Sequence, residues 1–372
     1  MSAVPHPLHA AMTDAVSNAV FPGGVLLVDV AREIVFFDAY GSAAADPVAE
    51  PMTPDTVFDL ASLTKPLVTA ALTLSLVAER RLSLDDRVAT HLPGWAEGAK
   101  ARVTLRHLLT HTAGLPAWRP LYQDLEPALV ATPEGKRHIV TTVVQEPLLS
   151  EPGAESRYSD LGFILLGAVA EQSGSHPLDE LAHQRLLTPL GLSSVGYLPV
   201  QDPKQREWST GRRVAATERC PWRGRVLRGE VHDENAYAMG GVAGHAGLFG
   251  DALGVRGLVR AWREATLGRS ALWPADLTTQ FLTRQSDLGQ GGWTLGWTVP
   301  TPPSTSGRFF SQRAYGHLGF TGTSVWVDPD RDLTVILLTN RVHPTRDNQS
   351  IAAFRPAIHD AVYRWLFDGS AR

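Results

Sequence analysis

The sequence predicts an α/β protein in which one antiparallel sheet is assembled from both ends of the chain, is flanked by helices and carries an inserted, mainly helical lobe. Two observations predict this. Strand-like runs gather near the two termini of the 372 residues, and the middle shows apolar residues at helical spacing. No internal repeat or low-complexity tract interrupts that pattern.

Residues 8–19 place Leu8, Ala11, Met12 and Val16 on one face of a helix. The runs 23–30 (GGVLLVDV) and 33–40 (EIVFFDAY), joined by Ala31 and Arg32, read as a hairpin. From 62 to 285 the pattern is mostly helical. A long apolar helix covers 66–80, a shorter one at 104–112 stops before Gly114, and 160–173 starts at Asp160 as N-cap and ends at Gly174. Residues 199–250 read as irregular. Strands return at 293–299, 322–328 and 333–339, the last two separated by Asp328, Pro329 and Asp330, and 347–367 closes the chain as a helix. The expected lobes are therefore 1–65 with 286–372, and 66–285, with a site in the cleft between them.

Composition narrows the function. Thirty-eight acidic against 34 basic residues, with no long run of one sign, leave no electrostatic footprint for nucleic acid or an anionic membrane. The single cysteine, Cys220, excludes an internal disulfide and a thiolate metal cluster. Residues 1–24 hold no Lys or Arg and lack an export signal, and the longest apolar runs, such as 161–170, fall short of the ~20 residues of a membrane span. A cytoplasmic protein is expected. Its oligomeric state is left open.

Only four of the 34 basic residues are lysines, so each is informative. Lys65 lies three residues after Ser62. If a helix begins at Ser62, the ammonium group reaches the hydroxyl, placing a nucleophile beside a base among free N–H groups suited to an oxyanion. The plain alternative is a serine capping a helix. Tyr158-Ser159-Asp160 heads the next apolar helix, where a tyrosine could relay a proton or the polar residues could simply cap. His317-Leu318-Gly319-Phe320 precedes or enters a strand, where glycine admits a close ligand and a main-chain N–H can complete an oxyanion hole. His107 and His111 have metal spacing but no following Glu. His232, Asp233, Glu234 and His245 form a polar group, read as a loop network at the pocket edge rather than a metal site.

Together, and in this order, the three motifs resemble the penicillin-recognising serine hydrolases, which include class C β-lactamases, low-molecular-weight penicillin-binding proteins and family VIII carboxylesterases. The resemblance runs from about 20 to 367 and includes LRHLLTHTAGLP (105–116), EPGAESRYSD (151–160) and GVAGHAGLFG (241–250). The last, with VHDENA (231–236), looks most like the penicillin-binding protein 4B branch. The resemblance implies a β-lactamase-like fold, Ser62 as acylated nucleophile, Lys65 as its activating partner and Tyr158 as proton relay. It implies oxyanion donors at the N–H groups of Ser62 and Phe320, with Gly319, Asn340 and Arg341 in the substrate-binding set, and no cofactor.

Two departures stand out. Asp160 replaces the usual Asn and should hold Lys65 charged, moving the proton-accepting role towards Tyr158. His317-Leu318-Gly319 replaces Lys-Thr-Gly, losing a cation and a hydroxyl that in relatives hold a substrate carboxylate, unless Arg341 or His317 substitutes. The expected substrate is a small ester or amide. The rival enzymes are a D,D-carboxypeptidase or D-aminopeptidase and a weak β-lactamase; the rival from another class is a penicillin-binding or sensing module without turnover.

Overall fold

In the strand β1 (Gly23–Val30), alternation sends Val25 and Leu27 to one face and Leu26 and Val28 to the other, and all four are fully buried. Such a strand must lie in the middle of a sheet covered on both sides. The structure, a computed structural model, describes residues 6–46, 48–201, 211–289 and 291–368. It places β1 between β2 (Glu33–Ala44) and β11 (Leu333–Thr339), so the N-terminal hairpin is joined directly to the C-terminal strands. The pairing is antiparallel, with Val25 opposite Leu338 and Leu27 opposite Ile336. With β3 (Glu50–Pro51), β9 (Tyr315–Leu318) and β10 (Ser324–Asp328), the sheet has six strands in the order β3-β2-β1-β11-β10-β9.

One face carries Leu26, Val28, Val335 and Leu337 against helices Pro7–Ser17 and Ile351–Phe367. The other carries Val25, Leu27, Ile336 and Leu338 into a larger core shared with the helical region. Helix Ala252–Thr266, which the sequence boundaries assign to the inserted lobe, packs on this sheet face: Arg256 pairs with Asp29 of β1 and Arg263 Nε donates to Asp332 Oδ1 (3.2 Å).

The segment Ala61–Ala78 is long and apolar enough to cross a membrane by composition alone, which the run-length reading of the sequence overlooked; it is 83% buried inside the protein and forms the central core helix. The expected strand at 293–299 does not form. Gly296, at φ +103°, turns the chain back so that Trp293 bridges Thr298, and the third C-terminal strand is β9 instead. Within the helical region, β4 (Phe58–Asp59), β5 (Val195–Tyr197) and β8 (Leu248–Gly250) form a small sheet in the order β4-β8-β5, and β6 (Arg219–Cys220) pairs with β7 (Arg225–Val226). The three-stranded sheet delivers the chain to Ser62. The irregular reading of 199–250 contains β6, β7, β8 and the helix Glu234–Ala238, all short, while 202–210 lie outside the described residues.

Candidate active site

Ser62 lies in a single tight turn, Ala61–Leu63, directly after β4. Ala61 has φ +47°, a conformation costing of order 1–3 kcal/mol for a non-glycine residue, so the surroundings must impose it. They do: Ala61 N–H donates to Asp59 Oδ1 (2.8 Å), and Thr64 Oγ1 donates to Ala61 O (2.6 Å) while accepting from Leu248 N–H (3.1 Å). The chain then widens into a π-helical stretch, Lys65–Ala70, before the α-helix Ala71–Ala78.

This geometry aims the fully buried Lys65 at Ser62. Nζ donates to Ser62 Oγ (2.8 Å) and His245 O (3.0 Å) and lies 2.7 Å from Asp160 Oδ1. Nζ thus makes two hydrogen bonds and one ion pair. Burial pulls the Lys65 pKa down, but Asp160 and Tyr158 outweigh it and the net shift is upward.

Ser159, not Asp160, is the N-cap of helix Asp160–Gly174: its side chain accepts from Gly162 N–H (3.3 Å). Asp160 is thereby displaced into the first turn and freed to face Lys65. Tyr158, one residue earlier, has 36% of its surface open to the cleft, and its hydroxyl interacts with Lys65 and Ser62. Desolvation of that hydroxyl raises its pKa against the opposing effect of Lys65, so Tyr158 rests as a phenol. The expected move of the proton-accepting role towards Tyr158 is therefore compatible with a relay, in which the phenol takes one proton as it gives another, and not with a resting anion.

His111 secures this tyrosine. Its main-chain oxygen accepts from Arg157 N–H (2.8 Å), its Nδ1 accepts from Ser159 N–H (3.0 Å), and its ring lies 4.6 Å from that of Tyr158. It lies beyond the helix Leu105–Leu109 at φ +57°, while His107 turns back to Thr104, so the two histidines do not converge on a metal.

Across the cleft, Gly319 follows β9, and Phe320 carries the second expected oxyanion donor. Among the described residues, neither Ser62 N–H nor Phe320 N–H donates to a protein acceptor. The Phe320 turn is tied to the nucleophile segment by Thr321 Oγ1 to Asp59 O (2.7 Å) and Thr323 Oγ1 to Leu60 O (3.2 Å). His317 Nδ1 donates to Leu318 O (2.9 Å), leaving Nε2 as a lone-pair acceptor; burial beside Lys65 lowers its pKa to about 3. A neutral imidazole cannot replace the missing lysine charge.

Asn340 is corrected outright. Its Oδ1 accepts from Gly23 N–H (3.0 Å) and its Nδ2 donates to Ser42 O and Ala43 O, so the amide is spent joining β1 and β2, and it does not line the cleft. Arg341 does line it, but its Nε and Nη1 are committed to main-chain oxygens of Phe320, Arg346 and Asn348.

His232 and Asp233 line the same cavity, which has a volume of about 840 Å³ and contains Ser62. They do not form one ligand set. His232 Nε2 faces Glu218 (3.0 Å) and its ring stacks on Phe320, whereas Asp233 Oδ1 lies 2.8 Å from His245 Nε2. Arg346 reaches between Glu218 and Glu234; burial would raise the Glu218 pKa, but His232 and Arg346 together hold it down at about 2. Sequence reasoning missed His245 as a Lys65 acceptor, because a main-chain oxygen has no sequence signature. It also missed Asp59 and Thr64, and it weighed His111 only as a metal ligand or a packing residue, without its link to Tyr158.

Comparison with known proteins gives the family and the fold. The family model described as Beta-lactamase matches residues 8–359. A protein of Escherichia coli (strain K12) named "Putative D-alanyl-D-alanine carboxypeptidase" is 32% identical over 94% of this chain and 86% of its own. Among solved structures, EstCE1, described as a hydrolase with promiscuous acyltransferase activity, superposes with a TM-score of 0.73 at 25% identity, covering 96% of this chain and 97% of that one. SurE, solved with D-Leu, superposes with a TM-score of 0.71 at 27% identity, covering 95% and 74%.

Proposed function

We infer that this chain, which belongs to the β-lactamase family of serine hydrolases, cleaves a small-molecule ester or amide through an acyl-enzyme on Ser62, in the manner of a carboxylesterase. The observation that carries the reading is the contact between Lys65 Nζ and Ser62 Oγ, with Nζ also held by Asp160 and the hydroxyl of Tyr158 in reach.

Ser62 Oγ attacks the acyl carbon, and the carbonyl oxygen becomes an oxyanion between the N–H groups of Ser62 and Phe320. The Ser62 proton passes to Lys65 as Lys65 yields one to Tyr158 and Tyr158 yields its own to the departing oxygen or nitrogen. Lys65 ends as an ammonium and Tyr158 as a phenol, the forms their surroundings favour. Water then attacks the ester, the same path runs in reverse, and the acid is released. The likeness to EstCE1, a hydrolase that also transfers acyl groups, supports a site that hands an acyl group onward to an acceptor.

A second reading, D-alanyl-D-alanine carboxypeptidase, is favoured by the Escherichia coli relative so named, at 32% identity. Intact mass followed over time separates the two. Wild type and Ser62→Ala are mixed in parallel with p-nitrophenyl butyrate, a fluorophosphonate, benzylpenicillin and an N-acyl-D-alanyl-D-alanine peptide. A single phosphonyl adduct on wild type alone, with butyrate turnover and little action on the peptide, is the expected result. Release of D-alanine at a higher kcat/KM than ester hydrolysis moves the assignment to the carboxypeptidase, and no adduct on Ser62 overturns both.

A further inference from the structure

The N–H of Phe320 and the carbonyl of Gly319 belong to one peptide group, and a buried guanidinium grips that carbonyl. Arg355 Nη2 donates to Gly319 O (2.8 Å) and to Thr323 O (2.9 Å), bridging the turn between β9 and β10. The following carbonyl, Phe320 O, is gripped by a second guanidinium, Arg341 Nε (2.9 Å). The Arg341 head group also lies 4.5 Å from the Phe320 ring centre.

Arg341 and Arg355 are only 4% and 8% exposed, yet among the described residues neither forms an ion pair. Arg346, close by, pairs with Glu218 and Glu234. A buried cation without a carboxylate is costly, and here main-chain oxygens compensate it, among them the two carbonyls that flank the Phe320 N–H. Drawing electron density onto the Gly319 oxygen increases the double-bond character of the C–N bond and makes the N–H on the same peptide a stronger donor. Holding both flanking carbonyls also removes the freedom of that peptide to rotate.

We propose that Arg355 and Arg341 are positioning residues of the oxyanion hole, clamping the peptide groups on both sides of Phe320 so that its N–H is aimed and polarised towards the oxyanion formed on Ser62. The inference rests on the reading of Ser62 as nucleophile and of Phe320 N–H as donor. Because the clamp acts on a charge present only in the transition state, its loss lowers kcat and leaves KM nearly unchanged.

The test uses Arg355→Gln, Arg355→Lys and Arg341→Gln in the full chain, with folding checked by circular dichroism and Ser62 integrity by fluorophosphonate mass labelling. For p-nitrophenyl butyrate, Arg355→Gln is expected to lose about tenfold to a hundredfold in kcat, within the range for an oxyanion donor, with KM within about twofold. Affinity for phenylboronic acid, which forms a tetrahedral adduct, falls by a similar factor. With ¹⁵N-phenylalanine labelling, the Phe320 amide resonance moves upfield. Should Arg355→Gln not fold, Arg355→Lys, which keeps a cation for one carbonyl, and Arg341→Gln carry the same comparison. Wild-type kcat and boronate affinity in folded, Ser62-labelled variants overturn the clamp, as does a rise in KM at constant kcat, which would put the arginines on the substrate. Full turnover by Ser62→Ala instead overturns the nucleophile reading itself.

Discussion

Asp160 Oδ1 lies 2.7 Å from Lys65 Nζ, and this contact sets the charge on the fully buried lysine beside Ser62. Burial alone would favour the neutral amine; the carboxylate reverses that. Replacing Asp160 with Asn removes the largest effect that opposes burial and therefore lowers the Lys65 pKa. Whichever limb of the pH profile of kcat/KM Lys65 governs moves to lower pH in Asp160→Asn. Ester hydrolysis measured between pH 5 and 11 checks this, and an unmoved profile shows that the carboxylate does not set the lysine charge.

The same pair leaves a mark on stability. The folded-state pKa of Lys65 lies above its ordinary value of 10.5, so its contribution is fully present below that value and is lost as pH rises through the higher folded one. Urea unfolding of the wild type is expected to show constant Lys65-dependent stabilisation from pH 7 to about 10, then a decline that Lys65→Met lacks. A gap between the two proteins that widens above pH 10.5 contradicts the sign of the shift.

Gly319 shows why a glycine is needed after His317-Leu318. A Cβ there would collide with Thr323 Oγ1 and lie 2.7 Å from Leu60 O, at the junction between the oxyanion turn and the nucleophile segment. Gly319→Ala must push these two segments apart. Expected outcomes are a loss of kcat of at least about a hundredfold, comparable with removing an oxyanion donor, and a lower Tm. Gly319→Ala/Thr323→Ala recovers only part of the activity, since Leu60 O remains in the way. Wild-type kinetics in Gly319→Ala would show that the turn is not held where the site needs it.

How much of this was legible follows from where each function is encoded. Ser62 and Lys65 are three residues apart, so local geometry alone brings them together, and Tyr158 announces itself at the head of an apolar helix. Asp160 was legible as either the cap of its helix or the partner of Lys65, and only packing decides: Ser159 caps and Asp160 faces the lysine. Asn340 misled because it sits beside Arg341 in sequence while its amide serves the opposite edge of β11. The strand expected at 293–299 has strand-like residues, but Gly296 reverses the chain, a tertiary choice its neighbours do not reveal. Arg355 lies 36 positions from the carbonyl it holds, and that carbonyl has no side-chain identity to read.

His111 is expected to act through Tyr158. It accepts from Ser159 N–H and packs on the tyrosine ring, so His111→Ala leaves a buried N–H without an acceptor, costing about 1–3 kcal/mol. Reduced stability alone would be a purely structural effect. The distinguishing readout is the leaving group: if Tyr158 is misplaced, kcat falls more for a poor leaving group that needs its proton, such as methyl butyrate, than for p-nitrophenyl butyrate. Equal losses on both substrates place His111 outside the proton path.

His317 decides how the cleft meets a carboxylate. Its pKa of about 3 keeps the imidazole neutral at every working pH, so His317 brings no positive charge to the cavity wall. A carboxylate beside the scissile bond therefore meets no cation at His317, and Leu318 offers no hydroxyl to compensate. Restoring both groups in His317→Lys/Leu318→Thr is expected to raise the rate of Ser62 acylation by benzylpenicillin about tenfold or more, the effect of roughly one charge-assisted hydrogen bond. Hydrolysis of p-nitrophenyl butyrate, which carries no carboxylate, changes far less. Stopped-flow acylation followed by intact mass reads both. If the double variant gains nothing on penicillin, or if the wild type already acylates as fast with penicillin as with the ester, another cation holds the carboxylate, and Arg341, buried at the same cavity wall, is the residue to replace next.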